Sequence, residues 1–174
     1  MIEIKSPFTT EELTKLNAGD RVSLSGVIYT GRDQAHKRLV EMIERGEDLP
    51  FDIEGQGIYY VGPTPAREGM VIGSAGPTTS YRMDAFAPAL MDKGLKVMIG
   101  KGPRSDEVKE SIIKNGAVYL AAVGGAGALM SKCITSAEVI AFDDLGTEAI
   151  RKLTVKDMNL IVAIDSKGKD LYHG

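Results

Sequence analysis

The run Ala117-Val-Tyr-Leu-Ala-Ala-Val123 contains no charge and no turn-forming residue. A strand of that composition has no face to offer water, so it belongs inside a sheet covered on both sides. Lys96–Ile99 is a second apolar strand of the same kind. Helical patterns separate such strands. Thr30-Gly-Arg-Asp opens one that runs to about Arg45, with Ala35, Leu39, Met42 and Ile43 as its apolar stripe and Gly46 at its end. Ser105 caps another that runs to Asn115, with Gly116 as the stop. Strands alternating with helices predict an α/β domain of layered sheet and flanking helices.

The remaining segments fit that frame. Ile2–Ile4 is extended, and Thr9 or Thr10 caps a short helix ending near Asn17, before Gly19. Arg21–Tyr29 alternates like a strand, and Gly57–Val61 is a short strand leading into Gly62-Pro-Thr-Pro. Met70-Val-Ile72 reads as a strand, followed by a loop from Gly73 and a helix over Asp84–Met91. Gly124-Gly-Ala-Gly leads into a small-residue helix ending near Cys133, which is expected to be buried. Glu138–Phe142 and Leu160–Asp165 complete the strands, with a turn at Asp143-Asp144 and a loose tail carrying His173. At 174 residues, 1–174 is expected to be one domain.

Composition excludes several roles. A net charge of −3 argues against a nucleic-acid surface or an anionic-membrane binder. No apolar run approaches the roughly 20 residues that span a bilayer. The opening Met-Ile-Glu-Ile-Lys has no leader pattern, and a lone cysteine suits a reducing cytoplasm. One cysteine and two histidines cannot build a zinc or iron–sulfur site, so any such cofactor must come from a partner.

Three loops carry candidate chemistry. Gly73-Ser-Ala-Gly-Pro-Thr-Thr-Ser-Tyr-Arg-Met-Asp84 offers backbone amides, the hydroxyls of Thr78, Thr79 and Ser80, and the planar fork of Arg82. Thr30-Gly-Arg-Asp-Gln-Ala-His36 puts Arg32 at a helix start, where a cation opposes the dipole and calls for an anion nearby. His36 follows one turn later on the same face. Ile99-Gly-Lys-Gly-Pro lets Lys101 approach a ligand closely. Plainer readings exist for each: a helix-capping loop, a solvated Arg32 beside a capping Asp33, and a strand-end turn. Placed after strands and before helices, the loops belong at the carboxyl ends of strands, where α/β domains bind ligands. Two arginines, a lysine and clustered hydroxyls suit a small dicarboxylate. Gly124-Gly-Ala-Gly lacks the glycine spacing of a dinucleotide fingerprint and reads as close packing.

Five ordered segments carry a resemblance: Tyr29-Thr-Gly-Arg-Asp-Gln-Ala-His-Lys-Arg, Gly55-Gln-Gly-Ile-Tyr-Tyr-Val-Gly-Pro, Gly76-Pro-Thr-Thr-Ser-Tyr-Arg-Met-Asp, Gly100-Lys-Gly and Phe142-Asp-Asp-Leu-Gly-Thr-Glu-Ala. Together they resemble the C-terminal part of the iron–sulfur class I hydro-lyases. That part is the beta subunit of two-subunit fumarate hydratase or of L(+)-tartrate dehydratase. The resemblance implies a swivelling β/β/α domain, packed in a hetero-oligomer such as a dimer of heterodimers against an alpha subunit that carries a 4Fe-4S cluster. It implies reversible hydration of fumarate to malate, a tricarboxylic acid cycle step, or else conversion of tartrate to oxaloacetate. Arg32 and Arg82 match the substrate-carboxylate ligands, and Thr78 and Lys101 match the catalytic positions, with Thr78 in proton transfer. His36 matches a supporting position, and no metal ligand is expected in this chain. The segment Ser80-Tyr81 departs from the small residues common there. A reading of another class is a non-catalytic module that binds small anions.

Overall fold

The computed structural model describes residues 1–122 and 130–173. In chain order the elements are β1 (Ile2–Lys5), α1 (Thr10–Leu13), β2 (Arg21–Thr30), α2 (Asp33–Glu44), β3 (Gly57–Tyr59), α3 (Ala87–Asp92), β4 (Val97–Gly100), α4 (Asp106–Asn115), β5 (Val118–Ala122), β6 (Ile134–Ala141) and β7 (Ile150–Ile164). Short 3-10 segments cover Ser80–Met83 and Asp143–Glu148.

Strands β1 to β5 pair parallel in sequence order, and β7 runs antiparallel to β2, β5 and β6. Because β7 pairs with both β5 and β2, the ladder β2-β3-β4-β5-β7 returns to β2 and closes on itself. Alternation along each strand then splits the apolar residues between two cores. Val97, Ile99, Val118 and Leu120 pack on one face with Val22, Leu24 and Val162. Met98, Tyr119 and Ala121 turn to the other, beneath Leu39 of α2, Leu90 of α3 and Ile112 of α4. Both faces are covered, which is why β4 and β5 are apolar throughout.

Local chemistry sets most boundaries. Thr9 accepts from the Glu12 amide at 3.2 Å and Ser105 from the Val108 amide at 3.3 Å, while Gly116 closes α4 in the left-handed region (φ 65°). The α1 helix is shorter than expected, ending at Leu13 and continuing only as tighter turns.

Several further expectations need correction. Met70-Val-Ile72 is not a strand: Met70 and Val71 are exposed, in an excursion pinned at its base by the Thr64 amide to the Ser74 carbonyl (3.1 Å). The helix placed over Asp84–Met91 starts only at Ala87, because Pro88 suits the first turn of a helix but not its interior. β7 is 15 residues long rather than the short Leu160–Asp165, since Lys152, Lys156, Asp157 and Asn159 on its outward positions hide its alternation. Gly124-Gly-Ala-Gly and most of the helix expected after it lie outside the described residues. Cys133 is half-buried rather than buried. Among the described residues, no helix is long and apolar enough to cross a membrane.

Candidate functional site

Strand ends position the loops. The Gly31 amide, just past β2, donates to the Tyr59 carbonyl at 3.0 Å, and the Tyr60 amide donates to Ile99 of β4 at 2.8 Å. The central loop does not continue a strand of its own. Instead it joins the ends of β3 and β4, where the Thr78 amide donates to the Tyr60 carbonyl (2.7 Å) and the Ser80 amide to the Lys101 carbonyl (2.9 Å). Thr79 and Lys101 thereby extend the parallel ladder by one pair. Thr78, Lys101 and the start of α2 thus meet at one end of the sheet.

A buried network lies under this loop. The Tyr59 hydroxyl donates to the Ala75 carbonyl (2.5 Å), and Ser80 Oγ shares a hydrogen with the Tyr119 hydroxyl at 2.7 Å. Gly100 is required beside it, because a Cβ there would strike Ser80 Oγ and the Tyr60 ring. Arg104, with a fully buried side chain, donates from Nε to Asp84 Oδ1 at 2.7 Å and from one terminal nitrogen to the Tyr60 hydroxyl at 3.1 Å. Its guanidinium sits 5.1 Å from the Tyr60 ring centre and 4.7 Å from that of Tyr119. The other Asp84 oxygen accepts from the Ser105 amide at 2.6 Å. Desolvation lifts the Tyr119 and Tyr60 phenols above their ordinary range, so both stay protonated.

Arg82, though exposed, reaches Asp33 with Nε and one terminal nitrogen, each 2.9 Å from Oδ2. Asp33 therefore does not cap the helix. Arg32 holds the cap position without a side-chain cap, and Glu148 accepts from the Gln34 amide at 3.2 Å instead. The Arg32 side chain crosses Gly62 so closely that a Cβ there would lie 2.6 Å from its terminal nitrogen and 2.8 Å from Cδ. Lys101 is exposed, and its ammonium has no carboxylate within 4.0 Å among the described residues.

His36 is fully buried beneath Arg32. Its Nδ1 lies 2.8 Å from the Arg32 carbonyl, which also accepts from the His36 amide at 2.9 Å. A carbonyl only accepts, so Nδ1 carries the hydrogen and Nε2 is a bare acceptor. Burial pushes the imidazole down to about 4, so the ring is neutral near pH 7.

Five buried side-chain atoms lack a hydrogen-bond partner among the described residues, and three belong to the cap and first turn of α2: Arg32 Nε, Asp33 Oδ1 and His36 Nε2. Buried polar groups normally find partners, so these three atoms stand out from the rest of the described chain. The structure brings Arg32, Arg82, Thr78, Lys101 and His36 to the same end of the sheet. Sequence reasoning passed over Arg104, Asp84 and Glu148, and read Asp33 only as a cap. The motif contains Asp33 and Asp84, but nothing in spacing tells which cation each carboxylate will meet.

The matching family spans residues 1–174 and is described as the Fumarase C-terminus. The chain belongs to that family. A fumarate hydratase class I, aerobic, from Salmonella typhimurium is 39% identical over 164 residues, covering 93% of this chain and 28% of the relative. Fumarate hydratase 2 of Leishmania major is 36% identical over 175 residues, covering 98% of this chain and 31% of the relative. This Fumarase C-terminus chain thus spans about three tenths of the length of those two relatives. It covers 87% of a Methanocaldococcus jannaschii protein, 39% identical over 170 residues, whose name carries L(+)-tartrate dehydratase subunit beta as a provisional assignment.

The donor set does not fit an iron–sulfur cluster. The chain has one cysteine, and among the described residues no three of His, Cys, Asp or Glu are grouped to hold a metal ion.

Proposed function

We propose that residues 1–174 form one domain, the swivelling β/β/α part of a class I hydro-lyase, acting with a cluster-bearing alpha part to hydrate fumarate reversibly to malate. Family membership supports the reaction class, and the buried Arg32 Nε, a donor with no partner among the described residues, is the observation that carries the site. Arg32 and Arg82 would grip the two ends of a dicarboxylate, with planar forks suited to carboxylate oxygens. Lys101 adds a third cation and Thr78 a hydroxyl.

The chemistry explains why cations are placed there in advance. Removing the proton next to a carboxylate of malate pushes negative charge onto that carboxylate. Guanidinium groups already in position stabilise that charge more than they stabilise the ground state. A threonine hydroxyl is a weak base, so Thr78 would need the Lys101 ammonium to stabilise its alkoxide as it accepts the proton. The fixed Thr78 backbone supports this role, since its amide is held by Tyr60 and its neighbour Thr79 pairs with Lys101. His36 would support Arg32 through its carbonyl.

A 4Fe-4S cluster would be held by the alpha part, where it would supply Lewis acidity. The reducing cytoplasm is the compartment proposed for such an assembly. The high coverage of the Methanocaldococcus jannaschii relative favours a second reading, in which tartrate is dehydrated to oxaloacetate by the same residues.

Anaerobic co-expression with an alpha subunit, assaying malate and tartrate side by side, tests both readings. Turnover of malate by the complex, and of neither substrate by the lone chain, is the expected result. Preference for tartrate selects the second reading. A complex active on neither substrate would leave an anion-binding module.

A further inference from the structure

The geometry points to Asp33 as the positioning residue of the arginine clamp: its carboxylate orients Arg82 and ties it to the backbone position next to Arg32. This rests on the clamp reading above and adds a residue that does not touch substrate. Asp33 is the first residue of α2, directly after Arg32. Both Arg82 contacts fall on one oxygen, Oδ2, at 2.9 Å. They occupy Nε and one edge of the guanidinium, so the other terminal nitrogen, Nη1, is left for a ligand. A side chain held through Nε cannot rotate about its last bonds without breaking that contact.

Two other roles for this carboxylate are weaker. A helix cap would place it on the amides of the first turn, but Glu148 takes the Gln34 amide instead. A simple surface ion pair would leave both oxygens in water, yet Asp33 Oδ1 is buried without a partner. The central loop and α2 contribute one arginine each, and no backbone hydrogen bond joins Arg82 itself to α2. Both backbones are held at the strand ends, and the Asp33 contact adds a direct side-chain tie between Arg82 and the residue next to Arg32.

The test combines kinetics of the assembled complex with a direct view of Arg82. In the complex, Asp33→Asn should lower kcat/KM by about tenfold to a hundredfold, the range seen when a partner orienting a functional group is lost. In an Arg82→Lys background the same substitution should have almost no further effect, because the two residues act as one unit. Asp33→Glu, which keeps the charge but moves it by one methylene, should fall between the two and covers a failure of Asp33→Asn to fold. In the isolated chain, the Arg82 Nε–H signal in nitrogen-15 spectra should exchange slowly with water, and quickly in Asp33→Asn.

Equal losses in both backgrounds would overturn the proposal by making Asp33 merely structural. A lower KM in Asp33→Asn would overturn it by making Asp33 a competitor that substrate must displace. Unchanged Nε–H exchange would also overturn it. If the wild-type complex turns over neither malate nor tartrate, the functional reading fails, and the exchange measurement still decides whether Asp33 positions Arg82.

Discussion

Arg82 gives Asp33 both its Nε and one terminal nitrogen, each 2.9 Å from the same carboxylate oxygen. The arrangement depends on a planar group that brings Nε, which donates a hydrogen bond, and a terminal nitrogen to one oxygen along a single edge. Arg82→Lys keeps the charge and loses that edge. In the assembled complex its kcat/KM should fall, and Arg82→Met should cost roughly 2–5 kcal/mol of transition-state stabilisation. Steady-state kinetics check this, and a near-normal Arg82→Lys enzyme would rule out the clamp.

Gly62 gives independent access to Arg32. Adding one methyl places carbon 2.6 Å from the Arg32 terminal nitrogen and 2.8 Å from its Cδ, so that side chain must move, while the Thr147 carbonyl at 3.3 Å need give only a few tenths of an ångström. Gly62→Ala should therefore shift stability by only about 1 kcal/mol. Displacing a substrate ligand by about an ångström can cost on the order of a hundredfold in rate, so activity should fall far more than the melting temperature. Thermal melts and turnover measured on the same preparation separate the two effects.

Much of the layout is legible in the sequence, for identifiable reasons. The apolar runs in β4 and β5 require a sheet buried on both faces, and Ser105 with Gly116 brackets α4 because caps act locally. The length of β7 was hidden, since its pairings with β2, β5 and β6 are long-range and its outward face is polar. Met70–Ile72 has the hydrophobicity of a strand but no neighbour to pair with among the described residues. At the site, Arg32, Arg82, Thr78 and Lys101 stand out as residue types on loops. The pairing of Arg82 with Asp33 and of Arg104 with Asp84 depends on the fold bringing distant segments together.

Arg104 and Asp84 form the ion pair beneath the central loop, with side chains 0% and 12% exposed. Removing one partner strands the other charge in a poorly solvated place. Arg104→Met should destabilise the chain by about 3–5 kcal/mol, and adding Asp84→Asn should restore part of it. Urea denaturation of the two variants checks both statements. Equal stability of wild type and Arg104→Met would show that the pair contributes nothing to the loop.

His36 makes stability depend on pH in a defined window. Its folded value of about 4 lies below the ordinary 6.5, so between these the unfolded chain binds the extra proton. Stability from this group is fully present above about pH 6.5 and is lost as pH falls toward 4. A shift of that size corresponds to about 3 kcal/mol. His36→Asn, which can still offer an N–H to the Arg32 carbonyl, should show a shallower loss of stability between pH 6.5 and 4 than wild type. Parallel denaturation curves for the two proteins across that range would contradict the assignment.

Whether this chain carries chemistry, or only holds an anion, turns on Thr78. Its neighbour Thr79 is an internal control, since both residues lie on the same loop and are half-buried. The measurement is exchange of the malate C3 proton with deuterated solvent, catalysed by the complex assembled with an alpha subunit. It reports proton removal without requiring loss of hydroxide. Thr78→Val should abolish exchange by orders of magnitude while KM changes little, because Arg32 and Arg82 still hold the carboxylates, and Thr79→Val should exchange at close to the wild-type rate. Normal exchange in the Thr78→Val complex would contradict a catalytic role for this chain and leave it as the binding half of the site.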